Sequence, residues 1–88
     1  MIVGIVNMFA ESSPVYLVDA PKAAPKLLAK VPVNELPNFL AEFVHTYKDK
    51  SVTLYGAQKY TKEIADLLLE TAQTNYNLNN IEVELKSI

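Results

Sequence analysis

Residues 51–86 read SVTLYGAQKYTKEIADLLLETAQTNYNLNNIEVELK, and this stretch decides the fold. It opens with β-branched and aromatic side chains, which favour a strand that ends at Gly56. Apolar residues then recur at helical spacing along one face of a predicted helix, which we expect to be core: Tyr60, Ile64, Leu67, Leu68, Thr71 and Ala72. Ile81–Lys86 alternates between apolar and charged residues. Strand, helix and strand in this order predict a βαβ unit with two parallel strands.

The first part of the chain predicts three more strands. Residues 1–9 are apolar at nearly every position, so we expect a central strand that is covered on both faces. Glu11–Pro14 is typical of a turn, and Val15–Asp19 predicts the hairpin partner of the first strand. Residues 25–33 combine alternating apolar residues with prolines, which favours an edge strand. A short helix over residues 25–30 is the alternative.

Another helix is predicted to begin near Asn34, which suits an N-cap, with Pro37 in its first turn. Its apolar stripe consists of Leu36, Phe39, Leu40, Phe43, Val44 and Tyr47. The resulting order is three strands, helix, strand, helix, strand. It predicts a single α/β domain over residues 1–88, in which a three-strand antiparallel meander is part of a mixed five-stranded sheet. We expect one helix on each face of this sheet, so that the central strand is covered from both faces.

Composition excludes several classes of function. The chain has no cysteine and one histidine, which excludes disulfides, thiolate catalysis and a Cys/His zinc cluster. Its eight basic residues are all lysines and its net charge is −2, which disfavours tight binding of nucleic acid. We expect no enzyme activity, no cofactor, no metal and no membrane contact. The first apolar stretch is interrupted by Asn7 and follows no cationic residues, so we expect no secretory signal and a cytoplasmic location.

The segment Ile2–Ile5, followed by a hairpin, resembles the opening strand of RuvC-type resolvases, and the order of elements resembles the ribonuclease-H-like fold. Enzymes of that fold hold two metal ions with acidic residues on the first strand and at the end of the fourth. Here Val6 and Asn7 stand at the first place, and Tyr55 and Gly56 at the second. The resemblance therefore implies the fold without the nuclease activity.

The strongest interaction signal lies on the predicted helix after Gly56. Ala65, Leu69 and Tyr76 form a second apolar face beside its core stripe, which predicts contact with a protein partner or a homodimer. The last strand, Ile81–Lys86, offers another route, because the free backbone edge of a strand can pair with a second copy.

Two polar features are weaker candidates. Gly56, Gln58 and Lys59 lie in a strand-to-helix turn, where anions often bind, but the glycine pattern of a phosphate loop is missing and a plain turn is favoured. His45 is a candidate general base with only Glu42 one turn earlier to orient it, so we expect an exposed surface histidine.

Lys22, Lys26 and Lys30 form a candidate basic patch, although lysines on an edge strand also prevent edge-to-edge aggregation. Three hypotheses of function follow, the last of them an enzyme that holds a small anionic ligand at Gly56, Gln58 and Lys59. The first is a small non-enzymatic interaction module or accessory subunit that self-associates. The second is a nuclease-like scaffold that has lost its acids and binds nucleic acid weakly through its lysines.

Overall fold

The computed structural model describes residues 1–19 and 23–87. The elements are β1 (Ile2–Ile5), β2 (Ser13–Leu17), β3 (Lys26–Val31), a 3-10 turn (Val33–Glu35), α1 (Leu36–Tyr47), β4 (Ser51–Tyr55), α2 (Gln58–Tyr76) and β5 (Glu82–Lys86). This order confirms the predicted α/β class. It also decides between the two interpretations of residues 25–33 in favour of the strand.

The five strands form one mixed sheet in the order β3-β2-β1-β4-β5. β1 pairs antiparallel with β2, and β2 with β3, which gives the predicted meander. β4 is parallel to β1 on one side and to β5 on the other. β1 is therefore the central strand, as predicted, and β3 and β5 are the two edges.

Both helices lie on the same face of the sheet, where they pack against each other. The core between this helix-covered face and the helices includes Ile2, Val15, Leu17, Val52 and Leu54 from the strands, Leu36, Leu40 and Val44 from α1, and Ile64, Ala65, Leu68 and Ala72 from α2. Gly4 lets the helix layer approach β1, because a Cβ at this position would lie 3.1 Å from Leu54 Cδ2 and 3.8 Å from Leu40 Cδ2.

The prediction that β1 is covered on both faces by helices is wrong. Side chains alternate along a strand, so Val3 and Ile5 point away from the helix layer. No helix among residues 1–19 and 23–87 lies on their side of the sheet. Val3 is nevertheless only 9% exposed, because its neighbours within the sheet shield it. An apolar run therefore indicated a central strand correctly but did not reveal how many layers cover it.

Two details of the helices also differ from expectation. Asn34 lies inside the 3-10 turn that precedes α1, and no side chain caps the helix, so the predicted Asn34 cap is wrong. Because residues 33–35 already form the 3-10 turn, α1 begins only at Leu36. On α2, Leu67 was expected in the core but is 42% exposed, since it lies at the margin of the buried stripe.

Candidate interaction surfaces

The side of the sheet opposite the helices is here called the open face. Strand register defines it, because residues paired across neighbouring strands share a face. Val3 pairs with Tyr16 and with Thr53, and Tyr16 pairs with Leu27. By the same alternation the other members are Met1, Ile5, Pro14, Val18, Lys30, Ser51, Tyr55, Glu82, Glu84 and Lys86.

The centre of the open face is apolar. It holds a broad depression of about 850 Å³, lined by Val3, Ile5, Tyr16, Val18, Pro25, Tyr55 and Ser87. Tyr16 and Tyr55 are half-buried, so their rings contribute apolar surface that water still reaches. A surface of this kind, formed by rigid strands and aromatic rings, matches the composition of the centre of a protein interface.

Charged residues lie at the β5 margin of the open face. Lys86 Nζ lies 3.7 Å from Glu84 Oε1 and 5.9 Å from the centroid of the Tyr55 ring. Glu82 completes the row on this strand. An apolar centre with an ionic margin follows the usual plan of a core and a polar rim.

Met1 covers part of the open face and is held there by polar contacts. The hydroxyl of Thr53, which is 2% exposed, donates to Met1 Sδ at 3.1 Å. The N-terminal ammonium of this chain donates to Val18 O at 2.9 Å and forms an ion pair with Asp49. Ser51 N donates to the same carboxylate at 3.1 Å.

The Asp49 carboxylate has a perturbed pKa. Burial by itself raises this pKa, but hydrogen bonds from the N-terminal ammonium and from Ser51 N, together with the ammonium charge, outweigh burial. The pKa of Asp49 therefore lies below its ordinary value. The carboxylate is thus a structural anion that fixes the start of β1 beside β4.

The β1–β2 loop displays an aromatic side chain that sequence reasoning missed. Phe9 is 96% exposed and Met8 is 43% exposed. The loop is nevertheless ordered by hydrogen bonds: Phe9 N donates to Asn7 Oδ1 at 3.0 Å, and Asn7 N donates to Ser13 Oγ at 3.3 Å. A phenylalanine on a hydrogen-bonded turn presents a large contact surface, and only two side-chain torsions have to be fixed when it binds.

The three predicted interface residues on α2 have different environments. Leu69 is 41% exposed and stays available for contact. Ala65 is 7% exposed and belongs to the protein's own core. Tyr76 is half-buried, and its ring stacks on His45 with 4.7 Å between centroids. Of these three residues only Leu69 is therefore exposed, and the second apolar face of α2 is narrower than the sequence indicated.

The contact between Tyr76 and His45 also locates the candidate general base. His45 is exposed, as expected, and the stacking of its ring on Tyr76 brings the last turns of α1 and α2 into contact. Among residues 1–19 and 23–87, no three His, Cys, Asp or Glu side chains come together as a metal site.

The Gly56 turn joins β4 to α2. Gly56 N donates to Lys86 O at 3.0 Å, and a Cβ at Gly56 would lie 2.7 Å from Val6 O. Gln58 and Lys59 follow as exposed residues of the first turn of α2, which no side chain caps. These contacts account for the glycine through packing between β1, β4 and β5.

The candidate basic patch is divided. Lys26 pairs with Leu17, whereas Lys30 pairs with Pro14, so the two lysines lie on opposite faces of β3. The register irregularity between Val15 and Tyr16 in the β2–β3 pairing is what separates them. Lys22 lies outside the described residues.

The open face was detectable in the sequence only indirectly. Val3, Ile5, Tyr16 and Tyr55 look like core residues, and nothing local distinguishes a strand covered on one face from a strand covered on two. The exposure of Phe9 was also hidden, because apolar residues continue through residue 9 although β1 ends at Ile5.

No known protein family matches the chain, and no curated protein matches it. Neither helix in the described part of the chain combines the length and the apolar character that crossing a membrane requires.

Proposed function

We propose that the protein is a small non-enzymatic α/β interaction module, self-associating or docked to another protein, and that the open face is its docking surface. The observation that carries the proposal is the apolar depression lined by Ile5, Tyr16 and Tyr55 on a sheet face that neither helix covers. A cytoplasmic location belongs to the same proposal and fits the cysteine-free sequence.

The size of the open face sets the expected strength of the contact. Five strands about 4.8 Å apart and five residues long give a face of roughly 24 by 17 Å, or about 400 Å² per copy. Standard interfaces bury about 800 Å² per partner, so this face alone supports a contact of the transient class. Additional contact, for example from Phe9, is needed for a permanent complex.

Replacing Ile5 with lysine tests the docking surface. Ile5 is half-buried at the centre of the open face, so a lysine there places a charge in the contact while its side chain still reaches water. Sedimentation velocity up to high micromolar concentration, together with a pull-down, measures the effect. We expect the wild-type chain to bind a second copy or a partner through the open face, and Ile5→Lys to lose the contact made by that face.

Leu69→Lys is the matched control, because it introduces the same charge at an exposed leucine on α2. Retention of the contact in this variant supports the open face. Loss in Leu69→Lys with retention in Ile5→Lys would move the docking surface to α2. A strictly monomeric wild-type chain that captures nothing contradicts the proposal as a whole.

The nucleic-acid alternative finds little support in the charge distribution. Lys26 and Lys30 lie on opposite faces of β3, and Lys62 is flanked by Glu63 and Asp66 in a shallow groove. A nucleic-acid surface concentrates positive charge along one track. Salt-sensitive binding to single- or double-stranded DNA or RNA at low ionic strength is the measurement that would revive this alternative.

A further inference from the structure

β5 is an edge strand whose outward backbone groups can be assigned. Glu82 N donates to Lys50 O at 2.8 Å, and Gly56 N donates to Lys86 O at 3.0 Å. In a parallel ladder, alternate residues direct both backbone groups to the same neighbour. Glu82, Glu84 and Lys86 therefore bond to β4, while Val83 and Leu85 direct their N–H and C=O groups away from the sheet.

The two edges of the sheet differ in how well they resist pairing with another strand. β3 carries Lys26 and Lys30, pairs irregularly with β2, and lies between Pro25 and Pro32. Lysines, irregular pairing and prolines are the common protections of an edge. β5 pairs with β4 in unbroken register and contains no proline. β5 carries the charged residues Glu82, Glu84 and Lys86 but has neither an irregular pairing nor a flanking proline, so it is the less protected edge.

We propose, building on the interaction module above, that β5 pairs antiparallel with β5 of a second copy, with Leu85 opposite the partner's Leu85 on a two-fold axis. Val83 then bonds to the partner's Ser87, and the two sheets become one continuous sheet. The open faces of both copies lie side by side on the same surface of that sheet, because the axis is perpendicular to it.

Charge complementarity selects both the partner and the register. With Leu85 at the centre, each Glu84 lies opposite the partner's Lys86, and no like charges face each other. With Glu84 at the centre, Glu84 faces the partner's Glu84. With Val83 at the centre, each Glu82 faces the partner's Glu84. Opposite charges across a strand pair stabilise it and like charges destabilise it, so the Leu85 register is favoured.

The apolar side of the pair is also consistent. Val83 and Leu85 are half-buried and pack at the margin of the core beneath α2. In the paired state the Leu85 side chain lies opposite the partner's Leu85 on the helix-covered face, and Val83 lies diagonal to the partner's Leu85. Pairing thus buries apolar surface in addition to satisfying the backbone groups.

Exchange of the two charges tests the pairing. In Glu84→Lys, the new lysine of each copy faces the partner's Lys86. In Lys86→Glu, the new glutamate of each copy faces the partner's Glu84. By sedimentation equilibrium we expect each single change to raise the dimer Kd about tenfold or more, and the double exchange to return it to within about threefold of wild type. The double exchange also preserves the Glu84–Lys86 contact within each chain, so it controls for effects on the monomer.

Glu82→Lys determines the register. In the Leu85 register residue 82 faces no charged side chain of the second copy, so we expect the dimer Kd of this variant to stay nearly unchanged. In the Glu84 register the new lysine would face the partner's Lys86, and the dimer Kd would rise. Protection of the Val83 and Leu85 amide protons from exchange, rising with protein concentration, reports the backbone pairing directly. Unprotected amides, or a dimer unaffected by either charge change, would overturn the proposal.

The two proposals fail in different ways. If Ile5→Lys abolishes contact while the β5 charge variants behave as wild type, the open face stands and β5 pairing is wrong. If Val83 and Leu85 become protected and Ile5→Lys has no effect on any contact, β5 pairing stands and the open face is wrong.

Discussion

The two faces of the sheet are built from neighbouring residues of the same strands but have different roles. On β4, Leu54 points into the helix layer and is fully buried, while the next residue, Tyr55, points to the open face and is half-buried. Both are large and apolar, so the sequence does not distinguish them. This difference in burial predicts that stability depends mainly on the helix-covered face.

The largest expected effect compares these two neighbours. Leu54→Ala removes a buried side chain and leaves a cavity against Gly4 and Leu40, which we expect to lower the free energy of unfolding by about 3 kcal/mol. Tyr55→Ala removes a larger side chain from the open face, where water replaces it, and we expect a loss of about 1 kcal/mol. Urea unfolding followed by circular dichroism measures both.

Equal losses at Leu54 and Tyr55 would contradict the comparison, since they would mean that something covers the open face of the monomer as completely as the helices cover the other. A domain of this size has a small margin of stability, so Leu54→Ala is best measured at low temperature or in a stabilising osmolyte.

The next effect concerns the point where the chain leaves β4 for the helix layer. Gly56 has φ +153°, a backbone conformation that residues with a side chain rarely adopt. An added Cβ would also lie 2.7 Å from Val6 O. Because the obstructing atom belongs to the backbone, relief requires a shift of β1 or β4. We expect Gly56→Ala to cost about 2 kcal/mol in the same unfolding assay. An unchanged midpoint would mean that this turn is free to move.

An alanine at Gly4, on the helix-covered face, tests the same kind of steric conflict and should lower the free energy of unfolding less. Its added Cβ would meet the Cδ2 atom of Leu54 at 3.1 Å, and a side-chain methyl group yields more easily than a backbone carbonyl. We expect Gly4→Ala to cost about 1 kcal/mol. The order of the two glycine variants is the check: a larger loss at Gly4 than at Gly56 would contradict the geometry.

Much of the fold was predictable because it follows from local patterns. The alternation in Glu82–Lys86 and the helical spacing over Gln58–Tyr76 correspond to real elements, and the central place of β1 followed from its apolar run. Each pattern reflects contacts that a residue makes with its immediate neighbours or with one adjacent layer.

What was not predictable depends on the arrangement of whole elements. Both helices pack on one face because their buried stripes also contact each other, and no local signal reveals that. The same holds for the surfaces: Ala65 belongs to the core, whereas Phe9 is displayed by a turn. The hydropathy of a residue indicates that it prefers burial, but it does not indicate which element of the fold will bury it.

The smallest expected effect concerns the contact that holds Met1 over the open face. The pKa of Asp49 is lower in the folded chain than in the unfolded chain, so its contribution to stability is present above the unfolded pKa and is lost as the pH falls through the folded pKa. Asp49→Asn removes this contribution at neutral pH, and we expect a cost of about 0.5 kcal/mol for a partly exposed ion pair.

The pH dependence separates this effect from a general loss of packing. At neutral pH the Asp49→Asn variant should be less stable than wild type in urea, and the difference should shrink as the pH falls from the ordinary aspartate pKa of about 4 through the lower pKa of the folded carboxylate. A difference that persists unchanged into acid would assign the loss to the Ser51 hydrogen bond or to packing. Because the ammonium of Met1 is the ionic partner, acetylation of the N-terminus should reproduce the variant's behaviour and also loosen Met1 from Thr53 on the open face.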